Sequence, residues 1–511
     1  MTICMVSTTS SSKTQLVNSS NIKKLNGMRK KVLNEDTINP CIKRCEYAVR
    51  GELAIRAEEL REQLEVNPDS LPFKHVINTN IGNPQQLGQK PITFFRQVTA
   101  LIEYPDLMDD EHIEFTKQFF PKDTIERAKA LLESMGGSSG AYSHSKGIPL
   151  VRKHVAEFIE ERDGYPCSPE DIFLTAGGSQ GVQTIIQLTI ANENVGIMIP
   201  IPQYPLYSAS IDMYGGKPVY YYLDESNEWS IDGPTVQRAI KEAKEKNIDV
   251  RVLCVINPGN PTGQCLTEDT IKEIIQICHE ERIIILADEV YQTNIYDDSR
   301  PFLSFKKVLR SMGPEYDDFE LFSFHSVSKG MVGECGRRGA YFECTGIDKS
   351  VIDELYKMAS VNLCPNVQGQ VMVDLVTRPP KEDEPSYELY NAEITEIYDS
   401  LKRRASKLAS FFNSLEGVTC HHPQGALYLF PKVVLPEKAI TEARKLGKSP
   451  DTYYCLELLN NTGVCVVPGT GFGQVEGTFH FRSTFLPPEE LFDEFIEKIK
   501  VFHENFMKRF N

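Results

Sequence analysis

The chain has 511 residues, long enough for a large apolar core and more than one domain. Hydrophobic residues make up 41% and charged residues 25%, the balance of an ordinary globular enzyme. The net charge of -16 argues against nucleic-acid or anionic-membrane partners, whose phosphates repel such a field, but leaves room for a local basic pocket holding one small anion.

Residues 1–34 are rich in Ser and Thr, carry Lys13, Lys23, Lys24, Arg29, Lys30 and Lys31, and have no acid before Glu35. Either an organelle transit peptide or a plain polar tail has that bias. An early helix is expected over 48–65 (AVRGELAIRAEELREQLE). From about 170 to 330, short apolar runs alternate with helical patterns. Strands are expected at 171–175, 195–199, 217–223, 250–256, 283–287 and 320–324. The helix after GGSQG spaces Val182, Ile185, Ile186 and Thr189 on one face. Further helices are expected over 234–247 and from Thr267. Such alternation predicts a mainly parallel sheet with helices on both faces. TRPPKEDEPS (377–386) is a polar break. Beyond it come a long charged helix to about 415, short strands at 425–430, 463–467 and 478–482, and a last helix over about 488–508, together read as a smaller α/β domain. No apolar run approaches the ~18 residues that span a bilayer. The 13 cysteines are scattered without a CxxC pair, which argues against a disulfide framework or a zinc site and for a reducing compartment.

In open α/β sheets ligands bind beyond the carboxyl ends of strands, and four such loops carry polar or glycine-rich chemistry. AGGSQG (176–181) opens a helix whose free N–H groups, with the Ser179 hydroxyl, form a phosphate seat. INPGNPTGQ (256–264) holds the Asn260 amide on a stiff loop. ADEVYQ (287–292) places Asp288 after an apolar strand, where a buried carboxylate needs a partner or serves as a helix cap. FHSVSKGMVGECGRRGAY (324–341) sets Lys329 among small residues, with Ser326 and Ser328 before it and Arg337 and Arg338 after. Each loop alone has an ordinary structural reading. In one chain and in this order they match what pyridoxal phosphate requires: donors and an arginine for the phosphate, a carboxylate for the ring nitrogen, Asn or Tyr for the phenolic oxygen, and an amine for the aldehyde.

SVSK followed by arginine, with NPGNPTG and ADEVY upstream, resembles the class I/II aminotransferases of fold type I. NIGNPQQLGQKPITFFRQV (80–98), GAYSHSKG (140–147), RDGYP (162–166), PIPQYPLYSAS (200–210), SKGMVGECGRRG and FHFRSTFLP (479–487) are similar to the alanine aminotransferase branch, from about residue 35 to the C-terminus. The resemblance implies that Lys329 is the Schiff-base lysine and Asp288 the acid on the pyridine nitrogen. Asn260 and Tyr291 correspond to donors to the phenolic oxygen, and Tyr204 to the aromatic stacked on the ring. Gly178, Ser179, Gln180 and Ser326 correspond to the cofactor-phosphate loop and its ligands. Tyr142 corresponds to a tyrosine that reaches a phosphate across a dimer interface. Arg482 corresponds to the grip on the substrate carboxylate, and Gly82 lies near the substrate in relatives. The class pattern puts the phosphate arginine at Arg337; the branch puts it one later, and the flanking CG-x-RG favours Arg338. AGGSQG departs from relatives that have an acid and GAS, Gly178 removing a methyl group while leaving the backbone donors.

The resemblance implies a PLP-dependent fold type I enzyme: an extension (1–34), an N-terminal arm and helix packing on the small domain (35–90), a large cofactor domain (91–380) and a small C-terminal domain (381–511). It further implies transamination between L-alanine and 2-oxoglutarate, or between glutamate and glyoxylate as the alternative. A homodimer with the active site at the interface goes with it; the extension leaves a cytoplasmic or mitochondrial location, and no metal is expected.

Overall fold

The computed structural model describes residues 31–47 and 51–511. A first unit, within residues 1–44, holds the short helix Pro40–Arg44, none of whose residues is buried. The second unit runs from Cys45 to Asn511. The leader-like reading of residues 1–34 falls almost wholly outside the described residues, as does the start of the helix expected from 48, which is described over Glu52–Val66.

A seven-stranded sheet organises the second unit. Its order is Ile172–Thr175, Ala340–Thr345, Leu321–Ser326, Ile284–Asp288, Asp249–Ile256, Val195–Ile201, Lys217–Tyr222. All neighbours pair in parallel except Ala340–Thr345, which runs against both strands beside it. That reversed strand was not anticipated: its six residues are all buried, so AYFECT shows no alternation to mark it. Val195–Ile201 is likewise buried along its whole length, as expected where helices cover both faces. On one face Val182, Ile185 and Ile186 pack against Ile197, Ile199, Phe322 and Phe324. On the other, Val151, Val155 and Ile159 of the helix Pro149–Asp163 pack against Ile172, Leu174 and Tyr341. Helix ends follow local rules: Thr267 accepts from the Thr270 N–H at the start of Glu268–Glu281, a cap of about 1 kcal/mol.

Beyond the polar break, the 28-residue helix Tyr387–Ser414 and the helix Glu489–Phe510 flank a small antiparallel sheet. Its order is Tyr428–Leu429, Phe481–Thr484, Val467–Pro468. These strands are shorter than their apolar runs. Pro431 and Pro468 supply no N–H to extend a ladder. The 463–467 run is also shared: Val464–Cys465 pairs with Ile77–Asn78, while Val467–Pro468 pairs with Phe481 and Arg482. The helix Glu52–Val66 buries Leu53, Ala57, Leu60 and Leu64 in the same apolar cluster as Leu458, Leu459, Val464 and Phe495.

One close backbone approach sets the start of the reversed strand. A Cβ on Gly339 would stand 2.3 Å from the Gly369 carbonyl oxygen, and one on Gly369 would stand 2.5 Å from the Arg338 oxygen. Neither neighbour is a flexible side chain. Gly339→Ala is expected to lower stability by about 1–3 kcal/mol, read as a fall in the urea midpoint at unchanged slope.

Candidate active site

Because six strands of the large sheet point the same way, the loops after them gather at one edge. A cavity of about 520 Å³ lies there, lined by residues from the loops following Thr175, Ile201, Ile256, Asp288 and Ser326. Gly178, Ser179, Tyr204, Asn260, Asp288, Tyr291, Ser326, Lys329 and Arg338 all face it, together with Gly82.

Asp288 ends its strand and is buried. The Tyr207 hydroxyl donates to its Oδ2 at 2.7 Å and the Val290 N–H to its Oδ1 at 3.4 Å. Burial pushes the Asp288 carboxyl above its ordinary range, against the pull of Tyr207, Val290 and the more distant Lys329 ammonium. Lys329 Nζ lies 3.4 Å from the Gly82 carbonyl oxygen and 5.9 Å from the centre of the Tyr291 ring. The Tyr291 hydroxyl donates to the Tyr428 hydroxyl at 3.1 Å. Burial raises the Tyr428 phenol, but Lys329 and Arg482 outweigh it and hold it below the usual tyrosine range. Gly82 makes room for this group: a Cβ there would meet the Tyr428 oxygen at 2.5 Å and Lys329 Nζ at 3.4 Å.

The phosphate seat expected from the sequence brings together the helix Gly178–Thr189, whose first turn offers free N–H groups, with Ser326 and Arg338. Ser326 Oγ accepts from the Ser328 N–H at 3.0 Å. The Arg338 guanidinium lies so close over Gly177 that a Cβ there would fall 2.1 Å from its nitrogen. Arg337 does not line the cavity and turns instead towards Glu334, at 3.8 Å. Gln180 does not line it either: its Oε1 accepts from the Ala176 N–H at 2.6 Å, bracing the loop from behind. Tyr142 is 79% exposed and lies off the cavity of its own chain.

Arg482 sits behind the Asn260 wall, only 2% exposed. It donates to Asn260 Oδ1 at 2.9 Å and to the Asn80 carbonyl oxygen. Its guanidinium carbon lies 4.2 Å from the Tyr428 ring centre and 4.7 Å from that of Phe472. Its Nε is buried without a partner.

Four contributors were not anticipated. Tyr207 bonds to Asp288; it lies three residues after Tyr204 in the same PQYPLY turn, which was the available signal. Tyr428 stands in a short strand otherwise read as apolar. Ser328 lines the cavity with its Oγ buried and unpartnered. Tyr47 brings its hydroxyl 2.8 Å from that of Tyr204, with ring centres 6.4 Å apart, from a segment 157 positions away that carries no motif.

The family model for aminotransferase class I and II matches residues 112–499. "Probable alanine aminotransferase, mitochondrial" of Dictyostelium discoideum is 51% identical over 486 residues, covering 94% of this chain and 90% of that protein. Glutamate–glyoxylate aminotransferase 1 of Arabidopsis thaliana is 48% identical over 485 residues, covering 95% and 98%. Among solved structures, an alanine aminotransferase from Pyrococcus furiosus superposes with a TM-score of 0.71 at 26% identity, covering 91% of this chain and 99% of that one. A helix-flanked, mainly parallel sheet with a lysine, a buried acid and an anion seat at one edge thus meets a family match along most of the sequence, and the chain belongs to the aminotransferase class I and II family, transaminases of fold type I.

Proposed function

We propose that this enzyme is a pyridoxal-phosphate-dependent alanine aminotransferase that exchanges the amino group between L-alanine and 2-oxoglutarate in two half-reactions. The observation that carries the reading is the single cavity in which Lys329, the buried Asp288 and the helix start at Gly178 meet beside Arg338. The residues fit the cofactor. Asp288 is a buried carboxylate whose direct partners are neutral, the setting for a cationic ring nitrogen. Ser328 has a buried hydroxyl awaiting an acceptor or donor. The Gly178 helix start, Ser179, Ser326 and Arg338 suit a phosphate.

When bound, pyridoxal phosphate supplies an aldehyde that takes up the amino group and a ring that withdraws the electrons of the substrate Cα–H bond. Asp288 would hold the ring nitrogen protonated, Asn260 and Tyr291, the latter turning its hydroxyl from Tyr428, would donate to the phenolic oxygen, and Tyr204 would hold the ring. Arg482, already fixed by Asn260 and Asn80, takes the α-carboxylate and so orients the Cα–H bond. The Lys329 amine removes the Cα proton as general base. Tyr428, which both Lys329 and Arg482 approach, links the base and the carboxylate grip.

A homodimer is the assembly in which the exposed Tyr142 would meet a partner's cavity, and we place the enzyme in the mitochondrion or the cytoplasm. No helix among the described residues is long and apolar enough to cross a membrane. Glutamate–glyoxylate exchange is the second reading, favoured by relatives of that name at 48% and 49% identity. A panel of donors and acceptors separates the two: alanine with 2-oxoglutarate should give the highest kcat/KM, and a preference for glyoxylate would select the second. Lys329→Ala should abolish turnover and the visible absorbance of the bound cofactor, and retention of both would refute its role. Gly82→Ala should lower kcat about tenfold or more through displacement of Tyr428 and Lys329, with the cofactor still bound as read by absorbance.

A further inference from the structure

Two residues before Arg482 on the same extended segment lies His480, buried and absent from the chemistry above. Its ring stacks on Phe430, with centres 4.8 Å apart and 2° between planes, and meets Trp229 edge-on at 5.6 Å. Nε2 lies 3.1 Å from Glu225 Oε1, and Nδ1 lies 3.0 Å from Gln474 Oε1. The Gln474 amide is oriented from its other end, where its Nε2 donates to Asp451 Oδ2 at 3.0 Å. Both ring nitrogens therefore face acceptor oxygens. Each ring nitrogen is thus tied to a different segment of the chain.

The charged groups facing the ring are Glu225, with Lys432 Nζ 3.1 Å behind it on Oε2, and Asp451 through Gln474. Trp229 and Phe430 complete the surroundings and are neutral. Burial raises the Glu225 carboxyl, but His480 and Lys432 outweigh it and hold it below the usual glutamate range. Glu225 belongs to the turn Glu225–Asn227 that follows Lys217–Tyr222, the edge strand of the large sheet. His480 bridges to Lys432 and leads directly into Phe481–Thr484 of the small sheet. One imidazole ring thus ties the strand that carries Arg482 to the edge of the large sheet.

We propose that His480 is a positioning residue for Arg482: its ring fastens the arginine-bearing strand to Glu225, so that affinity for carboxylate substrates depends on that link. The proposal rests on Arg482 receiving the substrate carboxylate, as in the function proposed above. With the link removed the strand loosens and carboxylates bind more weakly.

The test uses the full-length, cofactor-loaded enzyme and succinate, a carboxylate that cannot react, titrated by calorimetry. His480→Phe keeps the stack on Phe430 but has no donors, and should weaken succinate about tenfold. Glu225→Gln keeps an acceptor but not the charge, and should weaken binding about threefold. In both variants KM for alanine and for 2-oxoglutarate should rise together while kcat stays within about threefold of the wild type. Wild-type affinity in both variants, or in Glu225→Gln where His480→Phe does not fold, would overturn the proposal. A wild type that binds succinate without transaminating alanine would overturn the alanine reading instead, and the titration would still judge His480.

Discussion

A carboxylate taken out of water at the end of a buried strand is the constraint around which this site is arranged. Asp288 cannot retreat from the apolar strand that delivers it, and its direct partners, the Tyr207 hydroxyl and the Val290 N–H, carry no charge. An anion so placed is costly until a cation comes within reach. The cavity at the strand ends adjoins that carboxylate, and Lys329, which lines it too, lies towards Gly82 and the Tyr291 ring. In the proposed chemistry the same unmet charge selects a cationic ring and keeps it cationic through the reaction.

The second organising feature is the way two sheets meet beside the cavity. The large sheet lines it through loops that its parallel strands bring to one edge. The small antiparallel sheet supplies Arg482, whose position is set by contacts to Asn260 on a large-sheet loop and to Asn80 on the arm. Register within the small sheet is fixed by only a few residue pairs, Val467 with Arg482 and Tyr428 with Thr484 among them. So short a ladder gains little rigidity from its own hydrogen bonds. Side chains also cross to the large sheet, Arg482 to Asn260 at 2.9 Å and His480 to Glu225 at 3.1 Å.

Close packing of small residues ties these parts together. Gly82, Gly177 and Gly339 are each pressed by a different neighbour: the Tyr428 oxygen, the Arg338 guanidinium and the Gly369 backbone. In each case the absent side chain is the space into which a functional group or the chain bearing it fits. Their glycines are therefore positional requirements of the site and not merely turn formers.

The sequence by itself determined the alternation of strand and helix, because apolar runs and helical periodicity are local properties. It also determined the polar loops at the strand ends, since Gly, Asn, Asp and Lys stand out against apolar strands. Hence Lys329, Asp288, Asn260 and the Gly178 loop were all legible as candidates before any fold was known, and Tyr291 came only with the family resemblance. What only the tertiary structure decided was which side chains meet. The reversed strand Ala340–Thr345 has no local mark because both its faces are covered. Gln180 and Arg338 come from equally polar stretches, yet one turns back on its own loop and the other faces the cavity. Tyr47, Tyr207 and Tyr428 resemble core aromatics in one dimension, and their roles arise only from contacts between segments far apart in the chain. Such contacts depend on how sheets and loops pack in three dimensions, and no period or motif along the chain encodes that distance.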